Sequence, residues 1–294
     1  MRRAFRLAYD GRPYYGFQRQ PDVPTVEDAL FAALRDLDAF TADPAGADRP
    51  EGYAAAGRTD AGVSARAQTV AFDAPDWLTP GALNAELPVS IRAWASADVD
   101  PEFHATHDAR ERTYVYHLYA PRESTTTVEG FDEHEDEERV SADFDDNRAH
   151  AALDRLTGDH DFHNLTPDET GTVRDLSGSA DRDGDFLVIT LRAGGFARQL
   201  VRRVVGLVRE VGSGDAPPSK VDRVLGPEPM DGPEGVAPAP AEALVLWDVA
   251  YPEIEFTVDE DAAASARTVF GESRVTHTTA ARVAGSIGEN LDGV

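Results

Sequence analysis

The chain has 294 residues, 54 acidic against 28 basic, a formal net charge of −26, 41% hydrophobic residues and no cysteine. That much apolar content excludes an acidic disordered tail, and the missing thiols exclude disulfides, thiolate nucleophiles and cysteine-ligated zinc. The acidity removes the usual basic signature of a nucleic-acid binder; with Lys220 as the sole lysine, it points to adaptation to high salt, where carboxylates keep a surface hydrated.

Phe5, Leu7 and Tyr9 alternate with polar or small residues, the period of a half-buried strand, and Asp10-Gly11 ends it. From Thr25 the spacing changes. Val26, Ala29, Leu30, Ala33, Leu34 and Leu37 recur at helical intervals, and Thr25 with Asp28 forms a loose capping box. A loop at 55–68, a strand through Val70 and Phe72, a short helix near 79–86 and a strand through Ile91, Ala93 and Trp94 complete a first unit.

A second unit opens with RTYVYHLYA at 112–120, where Tyr114, Tyr116 and Leu118 share one face. The pattern then predicts a helix near 145–157, two strands around 172–192 joined at Arg182-Asp183-Gly184, helices over 197–211 and 219–225, and the strand ALVLWDVAYP. Two such units predict an α+β fold: two ferredoxin-like, RRM-like αβ sandwich domains with antiparallel sheets joined around a central cleft. The boundaries fall at 1–104 and 105–252. Residues 123–147, with eleven acids and one base, Arg139, read as a solvated insertion; 253–294 read as an acidic, then Ala- and Thr-rich tail of no legible role. No apolar run reaches membrane-spanning length and no signal-peptide core is visible, so a cytoplasmic protein without a membrane partner is expected.

In so acidic a chain, stretches without Asp or Glu carry information. Phe186 to Arg209 contains Arg192, Arg198, Arg202, Arg203 and Arg209; the first 20 residues hold Arg2, Arg3, Arg6, Arg12 and Arg19 against Asp10 alone; and 52–72 holds Arg58 and Arg66 with Asp60 as its only acid. Brought together, these windows would form a positive cleft suited to phosphates. Buried elements that lack charge would explain the missing acids but not the surviving arginines. In RPYYGFQRQ, Tyr14, Tyr15 and Phe17 either stack on bases or belong to the core.

GRTDAG sets Gly57 and Gly62 on either side of Asp60, allowing a tight turn and close approach of a bulky ligand, and Arg58 stands two residues away to hold the carboxylate ionised. Such a group suits covalent or electrostatic catalysis on an electrophilic carbon. Taken alone, it also suits an ordinary turn aspartate.

The motifs YYGFQRQ, AAGRTDAGVSARAQTVAF, LNAELP, FHATHDARERTYVYHLY, FARQLVRRVVGLV and ALVLWDVAYP, in that order, resemble those of the tRNA pseudouridine synthase A family over roughly 1–252, outside the acidic insertion. The resemblance implies an isomerase acting on uridines of the tRNA anticodon stem and loop, breaking the N1–C1′ bond and rejoining C5 to C1′. It implies Asp60 as nucleophile, at the sugar C1′ or the base C6; Tyr114 as the tyrosine that stacks on the uracil; Arg202 as the arginine paired with the aspartate; Arg58 in displacing the target base; and Phe196 and Leu244 as pocket lining. On chemistry alone Arg203 has an equal claim to the role of Arg202. GVSA, with Ser64 where many bacterial members carry His, looks like archaeal and eukaryotic members. The family analogy also implies a homodimer. Isomerisation requires no cofactor, and the pairs His104/His107 and His160/His163 lack a third metal ligand in the sequence. A non-catalytic RNA-binding module on similar sheets is the competing class. An acid in a phosphate-facing loop argues against it.

Overall fold

A computed structural model describes residues 1–40, 49–121, 144–230 and 235–288. In chain order the elements are β1 (Arg2–Tyr9), α1 (Val26–Asp36), β2 (Ala54–Ala55), β3 (Ser64–Asp73), α2 (Pro80–Glu86), β4 (Ile91–Asp98), β5 (Glu111–Tyr119), α3 (Asp146–Leu156), β6 (Gly158–Asp161), β7 (Val173–Asp183), β8 (Phe186–Ala193), α4 (Leu200–Gly212), α5 (Ser219–Val224), β9 (Leu244–Ala250), β10 (Thr257–Val258) and α6 (Glu260–Gly288). They gather into two compact units. Of the described residues, those within 1–58, 65–108 and 252–288 form the first, and those within 59–64 and 109–251 the second.

In the first unit β1 lies between β4 and β3, antiparallel to both, while β2 pairs with β3. The succession β4-β1-β3-β2 is that of a ferredoxin-like βαββαβ unit. Phe5 stacks on Phe72 at 5.3 Å between ring centroids, across the β1–β3 pair that aligns Phe5 with Val70. Thr25 caps α1 as its sequence demands, its side chain accepting from the Asp28 amide at 3.2 Å. Of the aromatics in RPYYGFQRQ, Phe17 is buried and Tyr14 is buried with its hydroxyl 2.7 Å from Ser90, whereas Tyr15 is exposed.

The segment after Pro252, which the sequence left as a tail, belongs to this first unit. β10 adds an antiparallel edge to β4, and Asp259 caps α6 through the Ala262 amide at 3.0 Å while its own amide donates to the Trp94 carbonyl. Ala262, Ala263 and Ala266 are the residues α6 buries. Alanine carries little hydrophobic signal, so periodicity in the sequence did not reveal the contact.

The second unit repeats the scheme. β5 lies between β9 and β8, β8 pairs with β7, and β7 with β6, all antiparallel. The succession β9-β5-β8-β7 is again ferredoxin-like. Tyr116 and Leu118 of β5, Ile189 and Leu191 of β8, Leu153 and Leu156 of α3, and Val204 and Val208 of α4 share one core. Two boundaries shift from the sequence expectation. Asp145 caps α3 through the Asn147 and Arg148 amides, so the expected insertion stops short of this cap instead of reaching 147, and its residues 123–143 lie outside the described residues. α4 begins at Leu200, three residues later than its periodicity suggested, because Gln199 adopts a left-handed φ of 61° that no continuing helix accepts.

Candidate active site

The loop Thr59–Ser64 clusters with the second unit, although the chain on both sides of it belongs to the first. Val63 anchors it: its side chain is 2% exposed in the second unit's core, and its amide donates to the Asp60 carbonyl at 3.1 Å. Gly62 closes that turn at φ +81°, where a Cβ would also press on the Ala241 methyl. Gly57 plays no matching part. It has no left-handed φ, and a Cβ there would meet open space, so only one of the two glycines is demanded by the turn.

Arg202, on the first turn of α4, donates from Nε to the Ala239 carbonyl at 2.7 Å and from Nη1 to Asp60 Oδ2 at 3.3 Å. The Arg202 side chain is 16% exposed and that of Asp60 35%, so the pair is sheltered on the arginine side and open on the carboxylate side. Arg203 turns elsewhere, donating to the Val236 carbonyl at 2.5 Å and to Gln199 Oε1 at 3.2 Å. The two neighbouring arginines, equal on chemistry and separated in the sequence only by the resemblance, which implied Arg202, are separated in the structure by helix phase: one residue of α4 rotates the side chain by about 100°. Arg58 is exposed in the first unit. The arginine that pairs with Asp60 is Arg202.

Tyr114, from β5, meets Phe196 edge-on with ring centroids 5.1 Å apart and planes at 86°. Part of the Tyr114 surface stays open, yet burial around its hydroxyl pushes the phenol up to about 12; Arg112 opposes this and the charge of Asp60 reinforces it. The hydroxyl therefore stays protonated at any physiological pH. Leu244 is buried at the start of β9, paired in register with Tyr116.

Arg112, which sequence reasoning passed over, stands beside these residues. Buried in β5, it donates from Nη1 to the carbonyls of Ala109 at 3.2 Å and Gly194 at 2.5 Å, tying down the Gly194-Gly195 turn that presents Phe196. Its charge inside a strand of buried neighbours, RTYVY, was the available signal.

The arrangement thus offers a partly open carboxylate with an arginine partner, whose negative charge helps to keep a tyrosine protonated, and an aromatic ring edge-on to that tyrosine. Those are the parts of an enzyme that attacks an electrophilic carbon while holding a planar ring. Residues 152–252 match the family model described as tRNA pseudouridine synthase. Over 289 residues the chain is 59% identical to tRNA pseudouridine synthase A of Haloarcula marismortui, covering 98% of this chain and 100% of the relative. It is 60% identical over 287 residues to the protein of that name from Halobacterium salinarum, covering 97% and 98%. The protein of that name from Methanosarcina acetivorans is 36% identical over 266 residues, covering 88% of each. The chain belongs to the tRNA pseudouridine synthase A family and is an isomerase. Its acidic, lysine-poor composition fits relatives from halophiles.

Proposed function

We propose that this isomerase converts uridine to pseudouridine in the anticodon arm of tRNA, with Asp60 as the nucleophile. The observation that carries the reading is the Asp60–Arg202 pair, a carboxylate steadied by a guanidinium that is itself fixed to the Ala239 carbonyl. Anchored in this way, Arg202 holds one carboxylate oxygen and leaves the other for chemistry. Asp60 attacks the sugar C1′ or the base C6. The N1–C1′ bond breaks, the uracil turns within the site, C5 bonds to C1′, C5 loses its proton and N1 gains one, so atoms and electrons balance without a cofactor.

Tyr114 stacks on the uracil, with Phe196 supporting its ring from the edge at 5.1 Å and Leu244 supplying apolar lining. A phenol held up to about 12 is a poor base in the ground state, which supports stacking and hydrogen-bond donation as the first duties of Tyr114. Arg58, exposed and in no ion pair among the described residues, is free to contact the phosphate backbone as the base is displaced. Among the described residues no helix is long and apolar enough to cross a membrane. The reading places the enzyme in the cytoplasm as a homodimer, by family analogy.

The test is pseudouridine mapping of an unmodified tRNA transcript after incubation with purified protein. Wild type is expected to modify anticodon-arm uridines, and Asp60→Asn to modify none while still binding the transcript. Turnover by Asp60→Asn would remove the nucleophile assignment, and modification confined to other arms would remove the site assignment.

A further inference from the structure

The second half of α6 departs from the surface chemistry of the rest of the chain. Residues 273–288 contain no Asp or Glu, although 54 of the chain's 294 residues are acidic. Apart from Ser273 every residue of this stretch is exposed, so the lack of acids is not the result of burial. A surface that the protein elsewhere solvates with carboxylates is here kept free of them.

The arginines of this helix also differ from four near the start of the first unit. Arg2 pairs with Asp73, Arg3 with Asp98, Arg12 with Asp10 and Arg19 with Asp28, each at 2.5–2.8 Å, so their charge is spent internally. Arg267, Arg274 and Arg282 are exposed, and their guanidinium groups make no ion pair or hydrogen bond among the described residues. Their spacing of seven and eight residues, with Thr278 between the last two, aligns them along one side of α6. At about 1.5 Å per residue that stripe is roughly 23 Å long, enough to follow several phosphates of an RNA strand.

We infer that α6 from Arg267 onward is an RNA-binding arm, in which Arg267, Arg274 and Arg282 contact the phosphate backbone of the tRNA outside the uridine-binding site. The inference rests on the proposed tRNA substrate. Charge complementarity selects the occupant: an unneutralised cationic stripe on a body of net charge −26 fits a polyanion. Val275, Val283 and Ile287 are also exposed on this half, which makes a second copy of the chain the competing occupant.

The experiment measures binding, so it is separate from the chemistry. Kd for an unmodified tRNA transcript is determined across a potassium chloride series for the full chain and for the triple variant Arg267→Gln, Arg274→Gln, Arg282→Gln. Three lost phosphate contacts are expected to weaken binding by about tenfold or more at the lowest salt and to reduce the slope of log K against log salt by about 2 to 3. Arg282→Glu alone, a change on an exposed face, is expected to move both quantities in the same direction. Unchanged affinity and slope in both variants, with wild type binding tRNA, would overturn the arm. So would a shift from dimer to monomer in the triple variant, by light scattering, with tRNA affinity unchanged. Wild type that binds tRNA but isomerises no uridine would remove the catalytic reading and leave the arm standing.

Discussion

Arg202 divides one guanidinium between the Ala239 carbonyl and Asp60, with both bonds leaving a planar, fixed fork. A lysine at this position keeps the charge but cannot hold both partners with the same geometry. Arg202→Lys is therefore expected to lower single-turnover pseudouridine formation about 10- to 100-fold, the size of one charge-assisted hydrogen bond, with unchanged circular dichroism. Arg203→Lys, which does not reach Asp60, should leave the rate within a few-fold of wild type. Equal losses from both would mean that α4 is perturbed as a whole.

Tyr114 gives a second residue-scale expectation. Its phenol ionises near 10 when unfolded and is pushed up to about 12 in the fold, so folding favours the protonated form. The stability linked to this group is intact below pH 10 and is lost as pH rises through about 12, an effect on the order of 2 kcal/mol. Tyr53, also raised by burial, adds to the same alkaline loss but is common to both proteins compared. Thermal melts from pH 9 to about 12 should thus fall less steeply for Tyr114→Phe than for wild type. Parallel curves would show that the Tyr114 hydroxyl is not shielded as described.

At the scale of elements, α4 and the segment 236–239 act as one part. The Ala239 amide donates to the Arg202 carbonyl, Arg203 holds Val236, and Arg202 holds Ala239. Gly206 permits this approach: a methyl group there would overlap the Ala237 carbonyl oxygen. Gly206→Ala should destabilise by about 1–3 kcal/mol, because backbone and not a movable side chain must give way. It should also reduce activity, since Ala239 moves with its segment and releases Arg202. Gly212 is the contrasting case. There the obstacle is the Phe144 ring, a side chain able to shift, so Gly212→Ala should cost less. Melts and rates measured together check the coupling, and a Gly206→Ala protein with lower Tm but full activity would separate the anchor from the chemistry.

For the whole molecule, a net charge of −26 makes self-repulsion a standing cost of the folded state, relieved when ions screen it. Tm should rise by several degrees as potassium chloride increases, most steeply below about 1 M, where the Debye length is still longer than about 3 Å. Binding of tRNA should weaken over the same range, because counterion release opposes it. A flat Tm would mean that the acids serve some purpose other than solvation at high salt.

The sequence by itself determined the local structure and the chemistry available. Alternation and helical spacing located β1, α1, β5 and α3 closely, because those patterns are written in neighbouring residues. The series of motifs singled out Asp60, Tyr114 and Arg202 as candidates, because their order along the chain is the signal. Only the tertiary structure decided which groups meet. Asp60 and Arg202 stand 142 residues apart, and nothing local distinguishes Arg202 from Arg203 or Arg58 as the partner; the phase of α4 and the Val63 anchor do. The same holds for Gly62 over Gly57, where the difference lies in backbone angle, and for Arg112, whose role depends on the carbonyl of Gly194 being brought beside it. It holds for α6 as well, docked through alanines too small to announce themselves and bare of acids where it leaves the core. Periodicity is set by adjacent residues, whereas partnership is set by chain closure over a hundred residues or more, which a local pattern does not encode.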